Sequence, residues 1–238
     1  MSIIDHLNEL RRRLIIILSV LVVASIACFT YAKQILATLT LGRTLIYIRP
    51  SDAFMAQIRL AVTAGLVVSM PIVLYHFLAF LVPALSKREK RIIIGSAFLM
   101  FLLFIAGLCF GWYVVFPIAM NFFASFSSEQ LVATYNVSDY VSFATGLLLS
   151  FGLVFQLPIM FWVLGALSIV SARFLRASRK YALVLILIIS ALITPPDVVS
   201  QVMMAIPMLL LYELGILLVA LTERGRRKRN KAATGVDN

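Results

Sequence analysis

The chain has 238 residues, 62% of them hydrophobic and only 13% charged, with a formal net charge of +11. So few charges leave too little polar surface to cover one or two water-soluble cores, so the composition points to a single helical membrane domain. The basic excess does not read as a nucleic-acid footprint, because it sits beside apolar stretches and has no separate folded unit to display it. It reads as topology signals and as anchors for anionic headgroups.

Seventeen of the 21 Lys and Arg residues fall in four clusters: Arg11 to Arg13, Lys87 to Arg91, Arg173 to Lys180 and Arg224 to Lys231. Residues 117 to 140 and 194 to 200 hold no basic residue, and residues 33 to 59 hold four. With the clusters on the cytoplasmic side, the positive-inside rule puts both termini inside and asks for an even number of spans, here six. The fold expected is an all-α membrane protein, six transmembrane helices in a bent, cup-shaped bundle, multi-pass in the cell (plasma or inner) membrane.

In chain order, residues 1 to 13 form a cytoplasmic amphipathic helix, with Ile3, Leu7, Leu10 and Leu14 at helical spacing. Glu9 reaches Arg13 at i,i+4 and Arg12 at i,i+3; its plain reading is an exposed ion pair. The run after Arg13 has no small-residue cleavage site, so the first span is expected to be retained. The spans of the membrane domain (14–221) are expected near 14–32, 60–81, 92–116, 141–167, 181–194 and 201–221. The fifth, with about 14 residues, reaches only about 21 Å at 1.5 Å per residue, short of the roughly 30 Å hydrocarbon core. A thinner bilayer is expected on that side. Pro71, Pro117, Pro158 and Pro207 lie in or beside apolar runs, where kinks are expected. Residues 127 to 139 read as an ordered cap with Ser138 as helix N-cap, and 222–238 as a basic cytoplasmic tail ending in a disordered stretch. Cys28 and Cys109 show no disulfide or metal spacing and read as packing residues.

Several segments, weak singly, keep one order across these spans. They are His6-Leu-x-Glu9-Leu-Arg11-x-Arg-Leu14, Pro71-x-x-Leu-Tyr75, Phe80-x-x-Pro83-Ala-Leu85, Glu89-Lys-Arg91, Phe116-Pro117, Phe143 with Phe151-Gly152, Thr194-Pro-Pro-Asp197-Val-x-Ser-Gln201, and Ala205-Ile-Pro207 with Tyr212-Glu213. Together they resemble the TatC family, the multispanning subunit of the twin-arginine protein translocase, over nearly the full length. The resemblance implies a receptor and core subunit rather than an enzyme. Its cargo would be folded proteins whose signal peptide carries two adjacent arginines, exported by the proton-motive force with no cofactor. It implies assembly with TatB-like and TatA-like single-span subunits and self-association in the complex.

By the same resemblance Glu9 and Glu89 read the two arginines, Arg11 orders that site, and Phe80, Pro83 and Leu85 shape the surface beside it. A guanidinium forks onto a carboxylate in a geometry lysine cannot copy. Thr194, Asp197 and Gln201 become the docking site for a partner helix; the plain alternative is that they cap helices around Pro195 and Pro196. Glu213 and Gln156 are the intramembrane polar residues. A buried Glu213 is expected to stay neutral, and Gln156 stands where many family members carry an acid. His76, with no adjacent acid, reads as packing.

No G-x-S-x-G elbow, Walker loop or H-E-x-x-H helix is present. The rival is a small-solute or ion secondary transporter with Glu213 in a midplane site. Against it, residues 1–116 and 117–238 show no internal repeat.

Overall fold

The computed structural model describes residues 3–40, 42–81, 87–128, 134–193 and 198–234, with side chains outside the description at 3–6, 81, 87–95, 193, 199, 200, 203 and 227–234. The described chain is almost wholly helical: α1 (Ile3–Phe29), α2 (Ala32–Leu39), α3 (Asp52–Leu81), α4 (Lys87–Phe110), α5 (Phe116–Ala124), α6 (Val137–Val154), α7 (Leu157–Ala166), α8 (Ala172–Ala177), α9 (Arg179–Ile193) and α10 (Val198–Thr234). Two two-residue strands, β1 (Leu45–Ile46) and β2 (Tyr135–Asn136), pair in parallel.

Among the described residues, five stretches are long and apolar enough to cross a membrane: Leu7–Phe29, Asp52–Phe80, Ser96–Ala124, Val137–Ala166 and Met204–Arg226. A helix satisfies its own backbone polar groups, and it is the economical way for such sequences to lie in hydrocarbon. α9 has 15 residues, about 22 Å at 1.5 Å per residue, too short to cross upright.

Prolines shape these helices in two ways. Pro71 and Pro207 lie inside α3 and α10, whereas Pro117 and Pro158 sit in the first turns of α5 and α7, where no intrahelical N–H is needed. α4 therefore passes into α5 through a wide π-type turn, Gly111–Val115, and α6 is divided from α7 at Phe155-Gln156. Such turns re-aim a helix without ending it.

Close packing sets the register. A Cβ on Gly107 would meet Phe151 O at 2.5 Å, one on Gly152 the Phe104 ring at 2.6 Å, and one on Gly111 the Leu148 side chain at 3.3 Å. Residue numbers falling on α6 as they rise on α4 make the pair antiparallel. Gly165 against Val219 and Gly215 against Phe161 run the other way, so α7 and α10 are parallel. One buried cluster joins Val141, Ala144, Leu147 and Phe151 of α6 to Met204, Met208 and Val219 of α10. A second joins Met70 and Leu74 of α3, Met100 and Phe104 of α4, and Val163 of α7.

At the end away from the basic clusters the loops bind one another. Asp52 Oδ2 accepts from Asn136 Nδ2 at 2.9 Å and from Arg49 N at 3.0 Å, and Tyr140 donates to Leu39 O at 2.9 Å. The α6 N-cap is Asn136, whose Oδ1 accepts from Ser138 N at 2.7 Å. This corrects the expected Ser138 cap: Ser138 already lies in the first turn, and Asn136 alone has the extended backbone a cap needs (φ −68°, ψ 134°). The expected disordered tail is also shortened, since α10 continues to Thr234.

Candidate functional site

The residues expected to read the signal peptide lie on three helices. Glu9 and Arg11 are near the start of α1, Phe80 is at the end of α3, and Glu89 is on the first turn of α4. α1 packs along α3 and α3 packs against α4. α1 and α3 meet closely where a Cβ on Gly65 would strike Ser25 Cα at 2.6 Å. The chain leaves α1 at Phe29 and enters α3 at Asp52 through the loop layer that holds α2 and β1, so the two helices run antiparallel, and sixteen residues back from Ser25 to Glu9 and sixteen on from Gly65 to Leu81 lead to the same end of the bundle. The fold thus puts Glu9, Phe80 and the Glu89 backbone at one end; the Glu89 side chain lies outside the described residues, as do Pro83 and Leu85 altogether.

The Glu9 carboxylate is already engaged. Arg13 donates to its Oε1 through Nε at 3.0 Å and through a terminal nitrogen at 2.5 Å, with both side chains about three-quarters covered. The i,i+4 spacing made this pair legible; Arg11 is exposed. A carboxylate that accepts two N–H groups from one guanidinium has the chemistry to hold another. Phe80 is half-buried.

Of the second polar set, Thr194 and Asp197 lie outside the described residues. Gln201, on the first turns of α10, donates Nε2–H to Leu187 O of α9 at 2.9 Å. It therefore ties the last two helices together near the end opposite the basic clusters.

Glu213 departs from the expected burial. It is half-exposed and ion-paired with Arg179, whose guanidinium lies 2.6 Å from Oε2. The reason is the short α9: it starts level with the middle of α10, bringing the basic cluster at its N-terminus to Glu213. A midplane transport site built on Glu213 has no support in this arrangement.

Gln156, at the break between α6 and α7, is 4% exposed and donates Nε2–H to Met100 O at 3.1 Å and Gly152 O at 3.3 Å. Its Oε1 is buried with no hydrogen-bond partner. His76 packs edge-on against Tyr75 with centroids 5.4 Å apart, and its Nδ1 is likewise buried and unbonded.

Sequence reasoning missed the clamp on the turn between α7 and α8. Glu223 of α10 accepts from Ala172 N at 3.0 Å, Arg226 donates to Ser168 Oγ, and Tyr212 donates to Leu175 O at 2.9 Å. Only the Ser171 N-cap of α8 had a local signature; the α10 partners are about 37 to 58 residues away in sequence.

The family model for the Sec-independent protein translocase protein TatC matches residues 5–207. The chain belongs to the TatC family. Curated relatives agree: the TatC protein of Helicobacter pylori strain J99 is 39% identical over 215 residues, covering 90% of this chain and 86% of that protein. TatCy of Bacillus subtilis is 35% identical across 100% of this chain and 96% of its own length, and the Aquifex aeolicus TatC is 35% identical with 98% and 100% covered. A crystal structure described as the twin arginine translocase receptor TatC superposes with a TM-score of 0.84 at 37% identity, over 92% of this chain and 99% of that one. Like other TatC proteins, the chain is thus a multi-pass helical membrane component of protein transport, and its family role is translocation rather than enzymatic conversion.

Proposed function

We propose that this chain is the receptor and core subunit of a twin-arginine translocase in the cell inner membrane. It binds the Arg-Arg signal peptide of folded cargo at the cytoplasmic face, where both termini lie. The supporting observation is the Glu9 carboxylate, which takes two N–H groups of the Arg13 guanidinium on Oε1. An incoming arginine replaces Arg13 there. The exchange is cheap, because an i,i+4 pair on a helix contributes only about 0.3–0.5 kcal/mol. Glu89 takes the second arginine, Arg11 holds the site's shape, and Phe80, Pro83 and Leu85 support the peptide beyond its arginine pair. Thr194, Asp197 and Gln201 dock the TatB-like and TatA-like single-span partners, several copies assemble, and export is driven by the proton-motive force.

The test is binding of a labelled signal peptide to the purified chain, comparing Arg-Arg with Lys-Lys forms. The Arg-Arg form is expected to bind about tenfold tighter, one charge-assisted fork being worth about 1.4 kcal/mol or more. Glu9→Ala and Glu89→Gln should each erase most of that preference, while Arg13→Ala should tighten Arg-Arg binding by freeing Glu9. Weak binding that ignores both acids and the arginines would overturn the reading.

A further inference from the structure

Where α10 meets the turn between α7 and α8 there is a cavity of about 290 Å³, lined among others by Ser168, Val170, Ser171, Glu223 and Arg226. The turn is a helix C-cap with Ser168 in the left-handed region (φ 63°), Ser168 N donating to Gly165 O at 3.0 Å and Ile169 N to Leu164 O at 2.9 Å. A serine at a position that favours glycine leaves a hydroxyl where glycine would leave none.

The hydrogen-bond inventory of the lining is lopsided. Ser168 Oγ accepts from Arg226 and Ser171 Oγ accepts from Phe174 N, so each hydroxyl keeps its own hydrogen to give. The Arg226 guanidinium has five N–H groups, one of them directed at Ser168. Glu223 spends Oε1 on Ala172 N, and Oε2 is its second acceptor. Three donors, one of them cationic, thus face a cavity that also holds one carboxylate. The apolar Met204–Arg226 stretch ends here, and Ile169, next to Ser168, is 64% exposed.

The geometry points to a binding site for the headgroup of a zwitterionic phospholipid with a primary ammonium, of the phosphatidylethanolamine type. The phosphate accepts from Ser168, Ser171 and Arg226, and the ammonium, two carbons away, donates to Glu223. The acyl chains leave the site over the exposed Ile169. A headgroup with only negative charge would meet the Glu223 carboxylate without an ammonium to offset it, and a choline headgroup has no N–H to give.

The experiment is native mass spectrometry of the delipidated full chain in detergent, titrated with phosphatidylethanolamine, its mono-, di- and trimethylated forms, phosphatidylglycerol, and soluble glycerophosphoethanolamine. The unmethylated lipid is expected to bind about tenfold tighter than the trimethylated one and than phosphatidylglycerol, with affinity falling as N–H groups are lost. Glu223→Gln keeps an oxygen for Ala172 N and should remove that preference; Arg226→Gln should weaken all the lipids alike. Phosphatidylglycerol binding as well as or better than the unmethylated lipid, or no loss on methylation, would overturn the proposal without reference to any variant. So would an unchanged preference in a Glu223→Gln chain of wild-type helix content. Soluble glycerophosphoethanolamine competing as well as the lipid would make this a phosphate-ester site and sink the membrane assignment.

Discussion

The α4–α6 seam and the α9–α10 seam join antiparallel helices by opposite means. On the first, Gly107 and Gly152 bring backbone and ring atoms so close that no Cβ fits, and Gly111 leaves only 3.3 Å to the Leu148 side chain. On the second, long polar side chains span the gap: Gln201 to Leu187 O, and Arg179 to the half-exposed Glu213. Without a hydrophobic drive between helices in lipid, association comes from close packing or from interhelical hydrogen bonds, and this chain uses one at each seam. The packed seam has one polar side chain at its edge, Gln156, and that is buried at 4% exposure, out of a newcomer's reach. A seam held by a glutamine and an ion pair can exchange partners, and it is where Gln201 of the proposed docking set lies.

The sharpest way to break this contrast is to add one carbon. Gly107→Ala puts a Cβ against the Phe151 carbonyl and the Gly152 Cα at 2.5 and 3.0 Å, backbone atoms that cannot rotate away. It should lower stability by about 1–3 kcal/mol. Gly146→Ala, on the partner helix α6 but with nothing within 4 Å of its Cβ, should stabilise by up to about 1 kcal/mol through helix propensity. Thermal unfolding in detergent reads both. The same sign for the two changes would mean that close approach does not hold this seam.

On the other seam, Gln201→Leu removes the bond to Leu187 O, and the cost should be smaller, about 0.5–1.5 kcal/mol. Its effect on assembly should be large: single-span partner subunits should no longer co-purify, while Arg-Arg peptide binding stays at the wild-type level. Retained partners with a destabilised chain would give Gln201 a purely structural role.

The two seams also differ in how far the sequence disclosed them. The membrane-long helices follow from hydropathy, and the Pro117 and Pro158 breaks from proline chemistry, because both are properties of single segments. The Glu9 pair with Arg13 was legible because i,i+4 spacing is local. Arg179 with Glu213 was not: the partners are 34 residues apart, and only the starting level of α9 brings them together. The same holds for Glu223 on Ala172, and for β1 with β2, whose two-residue pairing has no periodicity to read. Asn136 displaced Ser138 as cap because the strand pairing fixes its backbone as extended, a constraint invisible two residues away. At the proposed peptide site the residues came from resemblance, and the fold adds that Glu9, Phe80 and the start of α4 share one end.

The smallest expected effect tests the thin side of the molecule. With both side chains half-exposed, a double-mutant cycle of Arg179→Gln and Glu213→Gln should give a coupling of about 0.6 kcal/mol, the average for polar pairs in membrane helices. The size decides little; its salt dependence decides more. If the 15-residue α9 draws headgroups and water down to Glu213, the pair lies in a screened medium. Its coupling should then fade as ionic strength rises from 0.01 to 1 M, over which the Debye length shrinks from about 30 to 3 Å. A pair immersed in hydrocarbon is beyond the reach of ions, and its coupling would not change. Salt-independent coupling measured in lipid nanodiscs would therefore show that the bilayer keeps its full thickness beside α9 and that the short helix is accommodated in another way. Salt-sensitive coupling would place an aqueous boundary about three-fifths of the way along α10 from its basic end.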